Sequence, residues 1–373
     1  MRIGIDATAL PAELYGAGNY IVNLIQALAR VDSANDLVVF TKPFHAPLFQ
    51  SLERVRVEHI TLPMRTLRIA WEQMLLPQLI RQHKLDVFHS PHYTMPFAAP
   101  CATIVTFHDM TFFLYPQAHL LYKRSFFRMI IPISARRARA VIAISESTRQ
   151  DILRWTKISP TKVFGVPYGI GSNFRPEKNP AVLDALRRKY NLPTEFLLYV
   201  GNLEPRKNLP TLLQAFARLV KQGLPHDLVL AGSRGWKDNQ VFATCKELGL
   251  SQRVCFIGFV PQSELPALYS ACSAFVYPSI YEGFGLPVLE AMACGALVVT
   301  SNVSSMPEVA GDAGILIDPH NVDNLMKALH QVLTDKELRA TLPSKAIARA
   351  SLFSWERAAK ETLAVYERAV QLR

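Results

Sequence analysis

The chain has 373 residues, 50% of them apolar and 19% charged, which excludes a disordered or low-complexity protein and leaves room for two domains with separate cores. The net charge of +11 is uneven: residues 1–170 hold 19 Lys and Arg against 11 Asp and Glu, a net +8, whereas residues 171–373 hold 22 against 19, a net +3. A phosphorylated substrate, an anionic membrane face and nucleic acid are all compatible with that excess. The five cysteines are scattered and form no C-x-x-C, as expected of reduced thiols in a cytoplasmic protein. No apolar run approaches the roughly 18 residues of a membrane span. The opening Met1-Arg2-Ile3-Gly4-Ile5-Asp6 reads as a buried strand, not a signal peptide.

Short apolar runs alternate with helical patterns, which predicts parallel α/β sheets. In chain order, strands are predicted at 2–6, 37–41, 55–61, 87–90, 102–107, 140–144 and 162–166, with helices at 18–30 and 71–83. Ser145 is placed to cap a further helix. Residues 168–180 gather Gly169, Gly171, Ser172, Asn173, Pro176 and Pro180, and read as a linker. Beyond it, strands are predicted at 196–200, 227–231, 254–257, 274–277, 297–300 and 314–317. Helices are predicted at 209–222, 240–248, 265–270, 286–293, 322–334, 336–351 and 355–369. The expected architecture is two Rossmann-like domains, 1–170 and 171–354, with ligands taken at the carboxyl ends of the strands.

The most informative segment is Glu282-Gly-Phe-Gly-Leu-Pro-Val-Leu-Glu290, which follows an apolar strand and leads into a helix. A glycine turn there aims backbone N–H groups and the positive end of a helix at an anion, with an acid on either side to take hydroxyls. Gly201-Asn-Leu-Glu-Pro-Arg206-Lys207-Asn208 is the second: two adjacent cations beside a glycine turn, before a helix, suit a pyrophosphate. An isolated Arg-Lys would more often be a solvated turn; its place after a strand, with the paired acids elsewhere, tips the reading to the site.

Three further segments carry two readings each. His108, in Thr106-Phe-His-Asp109 at a strand end, could meet a ligand hydroxyl with Asp109 orienting it, or could be a satisfied buried histidine. Tyr15-Gly16-Ala-Gly18-Asn-Tyr20 is either a glycine loop that approaches a phosphate or acceptor, or a plain helix start. Gly258-Phe259 could present an apolar wall to a nucleotide base, or simply end a strand. Residues 122–139 mix six cations with Phe126, Phe127, Met129, Ile130 and Ile131, which suits a helix on an anionic leaflet as well as a core helix with a charged outer face. There is no Asp-x-Asp, no metal-ligand spacing, no G-x-x-x-x-G-K-[ST] and no G-x-S-x-G.

With those segments in this order, the chain resembles the GT-B-fold retaining glycosyltransferases of family four, over nearly its full length. The resemblance implies transfer of a hexose, with retained configuration, from a nucleotide-diphosphate sugar as co-substrate, without metal or other cofactor. GDP-mannose leads UDP-glucose as donor. The acceptor would be a carbohydrate or lipid-linked hydroxyl in envelope polysaccharide or glycolipid assembly, at the inner face of the membrane; nucleic acid is not an implied partner. Carried over by position, Arg206 and Lys207 would bind the diphosphate and Glu282 the donor hexose. Phe284, Gly285 and Leu286 would offer backbone amides, and Glu290 would hold ribose hydroxyls. His108 would meet the hexose, Gly16, Gly18 and Gly201 would lie beside the phosphates, and the helix at 355–369 would pack back on the first domain. A GT-B epimerase or phosphorylase, or a non-catalytic nucleotide-sugar-binding protein, stays open on the same residues.

Overall fold

The computed structural model describes all residues except 13, 15, 62–66, 236–238 and 372–373. The chain divides into two compact units: Met1–Gly169 with Ser354–Arg373, and Ile170–Phe353.

The first unit carries seven strands, β1 (Arg2–Asp6), β2 (Asp36–Thr41), β3 (Val55–His59), β4 (Val87–Ser90), β5 (Ala102–Phe107), β6 (Ala140–Ala143) and β7 (Val163–Gly165). They form one parallel sheet in the order β3-β2-β1-β4-β5-β6-β7. The second unit carries β8 (Phe196–Val200), β9 (Asp227–Ala231), β10 (Val254–Gly258), β11 (Ala274–Tyr277), β12 (Val298–Ser301) and β13 (Ile315–Ile317). Its sheet runs β10-β9-β8-β11-β12-β13. Both sheets are doubly wound. Strand order reverses at β1/β4 in the first and at β8/β11 in the second, and such switch points are where open α/β sheets bind ligands. The central strands read as continuous apolar runs because helices cover both faces; Phe196, Leu197, Leu198 and Tyr199 are fully buried.

Most predicted elements stand within one or two residues of their expected ends. The helix expected at 71–83 is instead two, Arg68–Met74 and Leu76–Gln82, hinged at Leu75. Pro77 explains the break: it has no N–H to donate and its ring crowds the preceding turn. The segment expected as linker ends in a helix, Pro180–Tyr190, capped by the Asn179 side chain on Ala181 N–H. The Ser145 cap is present, accepting from Thr148 N–H at 3.0 Å.

The helix Trp355–Gln371 belongs to the first unit. Tyr366 is fully buried and its hydroxyl lies 2.6 Å from His89 Nδ1. Trp355 packs on Tyr20 and Tyr168, ring centroids 6.1 and 5.9 Å apart. Gly169 makes room for this helix: a Cβ there would stand 2.1 Å from Trp355 N.

Residues 122–139 lie mainly in one helix that packs on the first unit's core. The helix Leu121–Arg137 buries Ile130, Ile131 and Ala135 in the core and leaves Leu121, Tyr122 and Met129 well exposed. Among the described residues no helix is long and apolar enough to cross a membrane.

Candidate active site

In the second unit, the segments after β8 and β11 meet at the switch point. Residues Pro205–Lys207 form a 3-10 turn, and Asn208 in the left-handed region starts the helix Leu209–Lys221. The Asn208 amide donates to Pro278 O at 3.2 Å and Pro319 O at 2.6 Å. The Arg206 carbonyl accepts from Ser279 Oγ at 2.9 Å and from Ile280 N–H at 2.9 Å. The cationic turn is thereby fastened to the loop that carries Glu282.

The side chains close the same junction. Lys207 Nζ donates to Glu282 Oε1 and to Tyr277 Oη, each at 2.5 Å. Arg206 Nη1 donates to Glu282 Oε2 at 2.7 Å, and its Nε to Glu204 at 3.1 Å. Ser279 Oγ also lies 2.7 Å from Glu282 Oε1, and its one proton is shared between that oxygen and the Arg206 carbonyl. Burial alone would raise the Glu282 carboxyl, but Arg206 and Lys207 outweigh it and hold it at about 2. Burial lowers the Lys207 ammonium, followed by Arg206, with Glu282 opposing. The sequence treats cations and acid as separate anchors. The structure makes them one network in which both Glu282 oxygens are engaged by protein donors.

The loop after Glu282 is set by residues the sequence reading missed. Glu282 N–H donates to Ser304 Oγ at 3.1 Å, and the Ser304 hydroxyl returns a bond to the Glu282 carbonyl. The single Ser305 hydroxyl proton is shared between Phe284 O, 2.7 Å away, and Glu282 O, 3.0 Å away. Gly285 takes φ 105°, and a Cβ there would stand 2.2 Å from Met306 Cε. Phe284 is buried, and Leu286 opens the helix Leu286–Ala293, in which Pro287 has no N–H and the Val288 and Leu289 N–H groups donate to Gly285 O at 3.0 and 3.2 Å.

Glu290 sits on that helix in its own setting. It is buried and accepts from Tyr269 Oη at 2.9 Å, and burial pushes its carboxyl up to about 7. Nothing in the primary order marks Tyr269 as its neighbour.

The carboxyl ends of β8, β9 and β10 form a shelf of bare backbone. Gly201 N–H donates to Ala231 O at 2.8 Å, and Gly232 N–H to Gly258 O at 2.7 Å. A Cβ on Gly232 would stand 2.0 Å from Gly201 O. Phe259, just beyond β10, is 58% exposed. Gly232 was not anticipated; a lone glycine after a strand is too common a signal.

The other expected residues lie in the first unit. His108 is buried, its Nε2 2.7 Å from Pro91 O and its Nδ1 2.6 Å from Tyr168 Oη. A carbonyl can only accept, so Nε2 carries the proton and Nδ1 accepts from Tyr168. Burial lowers its pKa to about 4. Both nitrogens are engaged and the ring is neutral, which is the satisfied-histidine alternative and not a nitrogen turned to a ligand. Asp109 does not hydrogen-bond the imidazole; its carboxylate takes Thr111 N–H at 2.9 Å and Thr111 Oγ1 at 2.6 Å. Gly16, exposed at φ 49°, is the N-cap of the helix Ala17–Val31, and Gly18 is buried in its first turn. Tyr15 lies outside the described residues.

At the first unit's switch point stands a polar network that the sequence did not reveal. Glu72 accepts from Arg68 at 2.9 Å and from Thr94 at 2.6 Å, and Arg68 Nη2 lies 3.4 Å from Asp6. Burial lifts Glu72 to about 7 against the pull of Arg68. Among the described residues no cluster of His, Cys, Asp and Glu could hold a metal ion.

Comparison with known proteins fits this geometry to a class. Solved structures of the same fold include Thermosynechococcus elongatus sucrose-phosphate synthase, with TM-score 0.76 at 24% identity, covering 98% of each chain. Another is Anabaena HepE in complex with UDP and glucose, with TM-score 0.77 at 20% identity, covering 99% of this chain and 100% of that one. The fold is GT-B. Residues 15–173 match Glycosyltransferase Family 4 and residues 184–349 match Glycosyl transferases group 1. The chain is 31% identical to O-antigen chain mannosyltransferase B of Escherichia coli, over 98% of this chain and 100% of that protein. It is 32% identical to the serotype-specific mannosyltransferase WbdA of E. coli over 76% of this chain, spanning only 36% of that larger protein. The chain belongs to the family 4, group 1 glycosyltransferases.

Proposed function

We propose that this enzyme transfers a mannosyl group, with retention, from a nucleoside-diphosphate sugar to an acceptor hydroxyl in surface-polysaccharide assembly. The observation that carries the reading is the Arg206–Lys207–Glu282 network at the β8/β11 switch point. A diphosphate there competes with Glu282 for the two cations. Arg206, a quarter exposed, can turn to a phosphate oxygen, while the Lys207 ammonium, which gives two of its three protons to Tyr277 and Glu282, has a third to give a phosphate oxygen. The backbone at Gly285 and Leu286 would offer amides to an anion, Gly201 without a side chain would leave room for it, and Phe259 would cover a base.

Bond breaking from the anomeric carbon to phosphate develops negative charge on the leaving oxygen, which preorganised cations stabilise. The phosphate then takes the acceptor's proton on the same face. No side-chain nucleophile is required, and Glu282 acts by positioning the cations and the hexose. Charge neutralisation by Arg206 and Lys207 leaves no step that calls for a metal ion. Mannose is favoured as the sugar by the names of the relatives, and GDP as its carrier. The exposed Leu121, Tyr122 and Met129, with Arg128 beside them, fit attachment to the inner membrane face near a lipid-linked acceptor. Incubation of purified enzyme with GDP-mannose or UDP-glucose and a mannose-terminated acceptor, in chelator, tests the reading. NMR of the product's anomeric proton should show an α-linked mannose; an inverted product, or transfer only with added metal, would overturn the mechanism.

Glu290 supplies a pH prediction. As a ribose-diol acceptor it must be ionised, and its carboxyl sits at about 7. Nucleotide affinity should therefore rise as pH goes from 6 to 8. Stability moves the other way: a folded-state pKa above the unfolded value of roughly 4.3 favours the folded state at acid pH, and that advantage is lost as pH rises through about 7. Calorimetric titration of GDP across this range should give a slope that vanishes in Glu290→Gln; an unchanged slope in the variant assigns the titration to another group.

A further inference from the structure

The first unit has a second charged feature, at the opposite end of its strands from His108. A groove of about 520 Å³ opens at the amino ends of β5, β6 and β7. From Cys101 and Thr103, at the start of β5, to His108 past its end is roughly 20 Å at strand rise. Five cations line the groove: Arg136, Arg137, Arg139, Lys162 and Arg368. No carboxylate lines it, and among the described residues none of the five forms an ion pair.

What holds these cations is not charge compensation. The Arg137 guanidinium lies over the Phe97 ring at 5.1 Å and Arg368 over Phe164 at 5.3 Å. A cation over a ring face is held without spending its N–H donors, which stay available to an oxyanion. Lys162 Nζ donates to Arg136 O at 2.8 Å, at the end of the helix Leu121–Arg137. Burial, followed by Arg139, lowers Lys162, so the cations are close enough to repel one another. Asp86, which after burial helps push Cys101 up to about 12, takes the Arg2 N–H at 2.7 Å. Along the groove the cations are joined by an apolar strip, Met95, Phe97 and Ala99. A like-charged cluster with no internal acid destabilises the fold unless an anion relieves it.

We propose that this groove is a second anion site, which binds a pyrophosphate or the phosphate head of an amphiphile whose tail follows the apolar strip. It lies in the other unit from the Arg206–Lys207 turn and does not depend on the donor assignment. Hydrogen exchange of the full chain, read by peptide, tests it with two probes: inorganic pyrophosphate, and phosphatidylcholine vesicles with and without phosphatidic acid. Protection of residues 97–103 and 134–140 is expected. Protection by pyrophosphate marks a soluble ligand, and protection only by phosphatidic acid vesicles marks a lipid headgroup. Arg137→Glu with Arg139→Glu should weaken groove binding by at least about tenfold, while protection of 201–208 by pyrophosphate persists and reports an intact fold. Should that pair fail to fold, Arg137→Gln with Arg139→Gln serves in its place. No protection at the groove with either probe, protection by pure phosphatidylcholine equal to that with phosphatidic acid, or protection that survives the substitutions would overturn the proposal.

Discussion

Arg206→Ala should lower turnover at saturating donor by about 10²–10³-fold, the loss typical of removing one preorganised donor to a developing oxyanion. Its melting temperature should hardly change, because the Arg206 side chain is 25% exposed and partly screened by solvent. Lys207→Ala should lose as much activity and, in addition, stability. Lys207 and Glu282 have side chains only 7% and 10% exposed. Removing one member of a buried pair leaves the other short of its counter-charge, at a cost of about 3–5 kcal/mol.

The acid side gives the sign. Glu282 has a folded-state pKa of about 2, below its unfolded value, so it stabilises the fold above roughly pH 4.3 and the contribution is lost as pH falls toward 2. With Lys207 gone, burial opposes less attraction, and that loss should begin at higher pH. Lys207→Met combined with Glu282→Gln removes both charges. It should recover most of the stability and none of the turnover, measured by urea denaturation and product formation. Near-normal turnover in both Arg206→Ala and Lys207→Ala would remove the phosphate-binding assignment.

Gly232→Ala is expected to be the most damaging single methyl in the second unit. The residue has φ 147°, and the new Cβ would lie 2.0 Å from the Gly201 carbonyl oxygen. Neither backbone can move alone, since Gly201 N–H is held by Ala231 and Gly232 N–H by Gly258. Strain of this kind costs of order 1–3 kcal/mol, and separating β8 from β9 to relieve the collision adds to it. Gly223→Ala is the control: it has φ 87° with nothing within 4 Å of the added Cβ, so it carries conformational strain without collision. Urea denaturation should place Gly232→Ala well below Gly223→Ala, and nucleotide binding should fall only in the former. Equal midpoints would mean that the shelf yields easily.

The sheets were legible because each strand is an apolar run bounded by turn residues; β1, β4, β5, β8, β9 and β11 begin and end where expected. The helix break at Leu75 was also written in the chain, in Pro77, but local periodicity outweighed it. Long-range pairing was another matter. Arg206, Lys207, Glu282 and Glu290 could each be singled out by type and local setting, yet nothing local shows that Glu282 binds both cations, 76 and 75 positions away. Ser304 and Ser305 look like an ordinary turn, and their hold on the Glu282–Phe284 backbone exists only once β12 lies beside β11. At His108 the sequence offered two readings. Pro91 and Tyr168, 17 and 60 positions away, engage its two nitrogens.

The first unit is built from two separate stretches, Met1–Gly169 and Ser354–Arg373, with the whole of the second unit between them. As the chain leaves the ribosome, the second unit has every one of its strands before the first has its last helix. Until Trp355–Gln371 emerges, His89 lacks Tyr366, and Tyr20 and Tyr168 lack the indole that covers them. The unit begun first is therefore completed only after the second, and a nascent chain stalled short of Trp355 would present that aromatic surface to chaperones.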